Sequence, residues 1–190
     1  LKVFTTNYDL CFERAAGEVN HLIAAAAHII VDTFRKGGKV LLCGNGGSAA
    51  DCQHMAAEFM NTISKELKRP ALPAIALTTD TSFLTAFSND VGFEGVFARQ
   101  VEALGRAGDV LIAISASGNS PNILAAVNTA RSRGVRTIAL AGEDGRLAGI
   151  ADLAIAIPSR STQYIQEAHL VVEHAICEIV ERELFGGANL

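Results

Sequence analysis

Two patterns of apolar residues alternate along this chain, and their alternation predicts its fold class. From about Tyr8 to Lys36 apolar residues recur at helical spacing, with Leu22, Ile23, Ala26, Ile29, Ile30 and Phe34 forming a stripe that stops at Gly37-Gly38. This predicts one long helix, or two with a break near Gly17. Short apolar runs then read as strands at Lys39–Cys43, Ala74–Thr78, Val110–Ser115, Thr137–Ala141 and Leu153–Ile157. The continuous apolar character of Val110–Ser115 places that strand with both faces buried. Between the strands, helices are expected at Ser48–Thr62, Phe83–Phe87, Phe93–Leu104, Pro121–Arg133, near Leu147 and at Gln163–Leu184. Ile63–Pro73 is polar and flanked by proline, a surface connection. Strands alternating with helices predict an α/β fold: a five-stranded parallel sheet with helices on both faces. The whole span, 1–190, reads as a single domain, with 1–37 as a helical segment and 38–190 as the α/β core.

Composition narrows the function classes. Nearly half of the residues are apolar, yet no apolar run reaches the ~18 residues of a membrane span. Sixteen basic and twenty acidic side chains give a net charge of −4 with no basic stripe, which argues against nucleic acid as the main partner. Cys11, Cys43, Cys52 and Cys177 form no CxxC pair and read as reduced thiols of a cytoplasmic protein. No signal peptide is recognisable, and a chain that starts at Leu1 is expected to lack a few N-terminal residues.

The candidate chemistry lies at strand ends. Gly44-Asn45-Gly46-Gly47-Ser48-Ala49 follows the first strand and opens a helix, so glycines and unpaired N–H groups are offered to a ligand. It meets the loose G-x-G-x-x-A pattern, but the acidic residue expected about 20 positions on, at the end of the next strand, falls nearer Asp80, some 30 residues on, and no G-K-[ST] follows. A tight turn capped by Ser48 and Asp51 is the plain alternative. Thr79-Asp80-Thr81-Ser82 is dense in hydroxyls, and Ser115-Ala116-Ser117-Gly118-Asn119-Ser120 opens another helix. Hydroxyls and backbone N–H groups there can hold a phosphate without a lysine, with Ser120 as N-cap and Pro121 first in the helix. His54 and Glu58 share one helix face, and the last helix offers Gln166, Glu167, His169, Glu173 and His174. Such groups can ligate a divalent metal, act as acid and base on a sugar, or form ordinary surface pairs.

Cys43 to Asp51, Ser115 to Ser120 and Ile165-Gln166-Glu167-Ala168-His169, together with Leu72 to Leu77 and Ser88-Asn89-Asp90, resemble the phosphoheptose isomerases of the sugar-isomerase (SIS) domain class over essentially the whole chain. The resemblance implies a doubly wound, flavodoxin-like five-stranded parallel sheet with extra N-terminal helices. It also implies a homotetramer with active sites between subunits, and conversion of sedoheptulose 7-phosphate to D-glycero-D-manno-heptopyranose 7-phosphate for lipopolysaccharide or other surface glycans. The family's zinc ligands, one ion per subunit, fall on His54, Glu58, Gln166 and His174. Its substrate contacts fall on Asn45, Gly46, Gly47, Glu58, Asn89, Asp90, Ser115, Ala116, Ser117, Ser120 and Gln166. Ala116 stands where many relatives carry Thr, so one hydroxyl of the phosphate loop is missing. Glu58 is expected as the base and His174 as the acid, with Asp51 as a second proton carrier or polar contact and His169 behind the site. Two alternatives remain: an isomerase for another phosphosugar, and a binding protein like the SIS relatives that engage the replication initiator. Members of that last group lack proton-transfer residues at the positions of Glu58 and His174.

Overall fold

The computed structural model describes residues 2–65 and 67–186, with side chains from Val19 onward, apart from residue 66. In chain order the elements are α1 (Lys2–Arg35), β1 (Val40–Gly44), α2 (Gly47–Met60), β2 (Ala74–Ala76) and α3 (Thr81–Asp90). A 3-10 turn, Phe93–Gly95, leads into α4 (Val96–Leu104), then β3 (Val110–Ser115), α5 (Pro121–Ser132), β4 (Arg136–Gly142), α6 (Leu147–Ile150), β5 (Leu153–Ile157) and α7 (Thr162–Phe185). The five strands form one parallel sheet in the order β2-β1-β3-β4-β5. That order is the flavodoxin-like one, and its direction reverses between β1 and β3, where sheets of this kind open a crevice for ligands.

Alternation along the strands builds two cores. Val40, Leu42, Ile112, Ile114, Ile138 and Leu140 face α1, α2 and α7. Leu41, Cys43, Leu111, Ala113, Ala139 and Ala141 face α4, α5 and α6. Phe59, 1% exposed, meets Phe34 edge-on at a ring separation of 5.5 Å and ties α2 to α1. Burial of a side chain of that size is worth about 1.5–3 kcal/mol. Lys39 Nζ and Asp109 Oδ2, 2.6 Å apart, staple the lower ends of β1 and β3, while Asp109 Oδ1 accepts from the Lys39 N–H.

Of the two forms expected for the first helix, the single one is found, since α1 is continuous through Gly17. Other local expectations need correction. β2 ends at Ala76, and the hydroxyl-dense stretch after it is the start of α3, because Asp80 accepts the Phe83 N–H and caps that helix. Asn89 and Asp90 therefore belong to the last turn of α3 and not to a loop. Cys43, Cys52 and Cys177 are buried free thiols whose titration burial pushes up; the side chain of Cys11 lies outside the described residues. Among the described residues no helix is long and apolar enough to cross a membrane.

Candidate active site

The glycine turn leaves β1 at the switch point. A Cβ on Gly44 would sit 2.5 Å from the Ser48 carbonyl oxygen, and Gly46 holds φ 55°, so both positions depend on the missing side chain. Gly46, not Ser48, occupies the N-cap of α2, and its carbonyl accepts from Ala49 and Ala50. Ser48 is buried inside the first turn. Asn45 exchanges both amide bonds with Asn122, Nδ2 to Oδ1 in each direction at 2.9 Å. The turn is thereby joined to the first turn of α5.

The second loop leaves β3 beside it. Gly118 adopts φ 61°, its N–H donates to Ser115 O, and Asn119 folds back with its N–H on Ser117 Oγ and its Nδ2 on Ser117 O. Ser120 takes the N-cap position of α5, but its hydroxyl lies 3.2 Å from Ser115 Oγ and makes no cap bond. A Cβ on Gly118 would fall 2.6 Å from Gly145 Cα, so the loops after β3 and β4 meet backbone to backbone. Between the two loops and the start of α7 lies a pocket of about 190 Å³, lined by Asn45, Ser48, Ile114, Ser115, Ala116, Ser117, Ser120, Thr162 and Gln166. Serine side chains and the first turns of α5 and α7 line it, groups whose chemistry suits an anion.

The candidate acid–base and metal-ligating groups stand further along α2 and α7, which pack side by side. Gln166 lies over Gly47, where a Cβ would meet its Nε2 at 2.6 Å. At the level of the second turn, His54 Nε2 and His174 Nε2 approach to 2.7 Å, and Glu58 Oε1 lies 3.8 Å from His54 Nε2. The His54 side chain is 42% exposed and that of Glu58 20%, so the group opens to the surface and not into the core. Beneath it, burial raises the pKa of Asp51, partly offset by the neighbouring His54 charge. Glu173 is fully buried with neither carboxylate oxygen bonded, and burial, reinforced by Asp51, moves its pKa up to about 8. His169 is also fully buried; burial lowers its pKa to about 4, and Nε2 faces the Ala141 carbonyl at 3.4 Å.

Of the residues expected at the site, the chain brings Asn45, Ser115, Ala116, Ser117, Ser120 and Gln166 to one pocket and His54, Glu58 and His174 to a neighbouring cluster. Gly46 and Gly47 shape the turn between them. Asn89 and Asp90 lie elsewhere, exposed at the end of α3 and hydrogen-bonded to each other at 2.8 Å. Asn122 and Thr162 are additions that the expected set lacks; each is a polar residue in the first turn of a helix that follows a strand, and that position was the available signal.

A flavodoxin-like parallel sheet with a serine-lined pocket at its switch point and a His–Glu–His cluster on the adjoining helices fits the SIS class, and the SIS domain family model matches residues 4–142. A phosphoheptose isomerase of Roseiflexus sp. is 58% identical over 165 residues, 86% of this chain and 83% of that protein. One from Geobacter sp. is 52% identical over 174 residues, 91% and 90% of the two chains. The structure of the phosphoheptose isomerase from Neisseria gonorrhoeae superposes with a TM-score of 0.88 at 42% identity, over 94% of this chain and 95% of that one. That from Francisella tularensis superposes with 0.90 at 38% identity, over 95% and 96%. The chain belongs to the phosphoheptose isomerase family and is an isomerase.

Proposed function

We propose that this enzyme interconverts sedoheptulose 7-phosphate and D-glycero-D-manno-heptose 7-phosphate by proton transfer between C1 and C2 through an enediol, as an early step towards heptose-containing surface glycans. The observation that carries this reading is the convergence of His54, Glu58 and His174 midway along a facing helix pair whose N-terminal ends border a serine-lined pocket. The phosphate is bound by the hydroxyls of Ser115, Ser117 and Ser120 and the backbone N–H groups of that loop, Ala116 contributing its main chain alone. Eight residues separate Gln166 from His174, about 12 Å of helix rise, so an extended phosphosugar lies along α7 with its carbonyl end at the cluster. Asn45, Gly46 and Gly47 hold the middle of the sugar. Glu58 takes the proton from carbon and returns it to the neighbouring carbon, and His174 moves protons between the two oxygens.

The donor set agrees in kind with zinc: two imidazole nitrogens and a carboxylate oxygen face one another, although among the described residues no three such groups already close on a single point. His54, Glu58 and His174 would hold the ion, with the Gln166 amide as fourth ligand. A bound zinc would polarise the sugar's carbonyl and hydroxyl oxygens.

α3 buries none of its own residues in this chain, and Val91 and Phe93 beyond it are 72% and 53% exposed. Such a surface supports a homo-oligomer, a tetramer in our reading, in which Asn89 and Asp90 reach a neighbouring subunit's sugar. The protein acts in the cytoplasm, where its phosphorylated substrate is made. The test is incubation with sedoheptulose 7-phosphate and with shorter ketose phosphates, followed by product identification. Turnover of the seven-carbon sugar alone, lost in Glu58→Gln while the oligomer persists, is expected. Turnover only of a shorter sugar would reassign the substrate, and none of any sugar with zinc supplied would favour a binding protein.

A further inference from the structure

Arg69 and Glu181 form an ion pair sealed between the end of α2 and the second half of α7, with side chains 1% and 2% exposed and Nε to Oε2 at 2.6 Å. The rest of the guanidinium is turned on helix α2. Nη2 donates to Glu58 O at 2.7 Å and Nη1 to Phe59 O at 2.9 Å, two of the carbonyls that the last turn of a helix leaves without an intrahelical partner; Phe59 O also accepts the Leu72 N–H at 3.1 Å. Nη1 also donates to Pro70 O, and Glu181 accepts from Thr62 Oγ1 and from the N–H groups of Ile63 and Ser64. Burial alone would raise the Glu181 pKa, but the Arg69 hydrogen bond and the two N–H donors more than offset it, so it stays a carboxylate. Every charged atom is satisfied.

The position of this cluster carries the inference. Arg69 grips the main chain of Glu58 itself. Glu181 is seven residues beyond His174, two turns along the same face of α7. One ion pair thus holds the backbone of the α2 carboxylate and the helix that carries the α7 imidazole. At the other end of the same two helices Gln166 leans on Gly47, so the His54–His174 level lies between two fixed points. Buried ion pairs seldom add stability beyond that of apolar residues of equal volume. An apolar pair, however, cannot hold the carbonyl of Glu58 in place, and misplacement of a catalytic group by about 1 Å can cost 10²-fold in rate.

We propose that Arg69 and Glu181 are positioning residues of the isomerase, which set the separation of Glu58 and His174 across the α2–α7 contact. This rests on the reading of Glu58 as the base. The phosphate pocket lies at the far end of the helix pair, so the clamp governs kcat and leaves KM nearly alone.

Three variants test it: the apolar exchange Arg69→Met/Glu181→Leu, the conservative Arg69→Lys, and Glu58→Gln. For each, thermal unfolding, oligomer size, kcat and KM for the phosphosugar are measured. The double variant is expected to keep its oligomer and a midpoint near that of the wild type, with KM within about twofold and kcat at least tenfold lower. Arg69→Lys retains one point charge but not the fork, and a severalfold loss of kcat at unchanged KM is expected; this variant decides the matter if the double variant does not fold. Wild-type kcat in whichever of the two variants folds, beside an inactive Glu58→Gln, would overturn the positioning role and leave Glu58 as base. A kcat loss matched by an equal rise in KM and a collapse of the midpoint would also overturn it, as the mark of general loosening. An active Glu58→Gln would instead remove the reading on which the inference stands.

Discussion

Asn45 and Asn122 bond each other through both amides at 2.9 Å, which ties the turn after β1 to the first turn of α5. Each amide keeps one further N–H and one oxygen lone pair beyond this exchange. Asn122→Ala leaves the Asn45 amide without its partner, at a cost of about 1–3 kcal/mol. Denaturant unfolding should show that loss, and KM for the phosphosugar should rise severalfold as the two loops separate. Unchanged stability and KM would mean that the pair is incidental.

His174→Gln should lower kcat by about 10²–10⁴-fold, the range for a lost acid–base group. His54→Gln removes an imidazole proposed as a zinc ligand and not as acid or base; its expected signature is a smaller rate loss and weaker zinc retention after dialysis, measured by metal analysis. Equal zinc content in both variants and the wild type would remove these residues as ligands.

Gly118→Ala combines a left-handed backbone with a Cβ placed 2.6 Å from Gly145 Cα. No flexible side-chain tip is there to move aside, so the loop must shift. KM should rise at least tenfold, and protection of the protein by inorganic phosphate against thermal unfolding should disappear. Retained protection would place the anion elsewhere.

His169 gives a pH signature. Burial lowers its folded pKa to about 4 from an ordinary 6.5. Above pH 6.5 neither folded nor unfolded chain binds the proton; as pH falls towards 4 the unfolded chain binds it first, so stability is lost across that window. At 1.36 kcal/mol per unit the loss amounts to about 2–3 kcal/mol by pH 4.5. In His169→Gln, whose amide can still donate to Ala141 O, the denaturation midpoint should fall less steeply between pH 7 and 4.5. Parallel pH profiles for the two proteins would sink the assignment.

The sheet could be read from the chain because its strands are short apolar runs between glycines, and their alternation with helical periods leaves a parallel sheet as the one economical arrangement. The cluster of His54, Glu58 and His174 could be read in part, since i, i+4 spacing fixes the first two on one face. What joins them to His174, 120 positions on, is helix packing, and no local pattern encodes it. Resemblance to relatives supplied that link. The same limit hides Arg69 and Glu181: an arginine in a polar connection and a glutamate on a charged helix look solvated until the fold buries both. The start of α3 is hidden in the sequence because Asp80, its cap, sits among hydroxyls that resemble a ligand loop.

The two-helical-turn spacing between the anion pocket and the imidazole pair also sets out a plan for inhibitors. On the proposed reading of a phosphate loop and a zinc-holding cluster, a compound with a phosphate surrogate at one end and a metal-seeking group such as a hydroxamate at the other would need a linker of about 12 Å, the rise from Gln166 to His174. Shorter linkers could satisfy one end at a time, and the affinity gained on linking would report how rigidly α2 and α7 are held together.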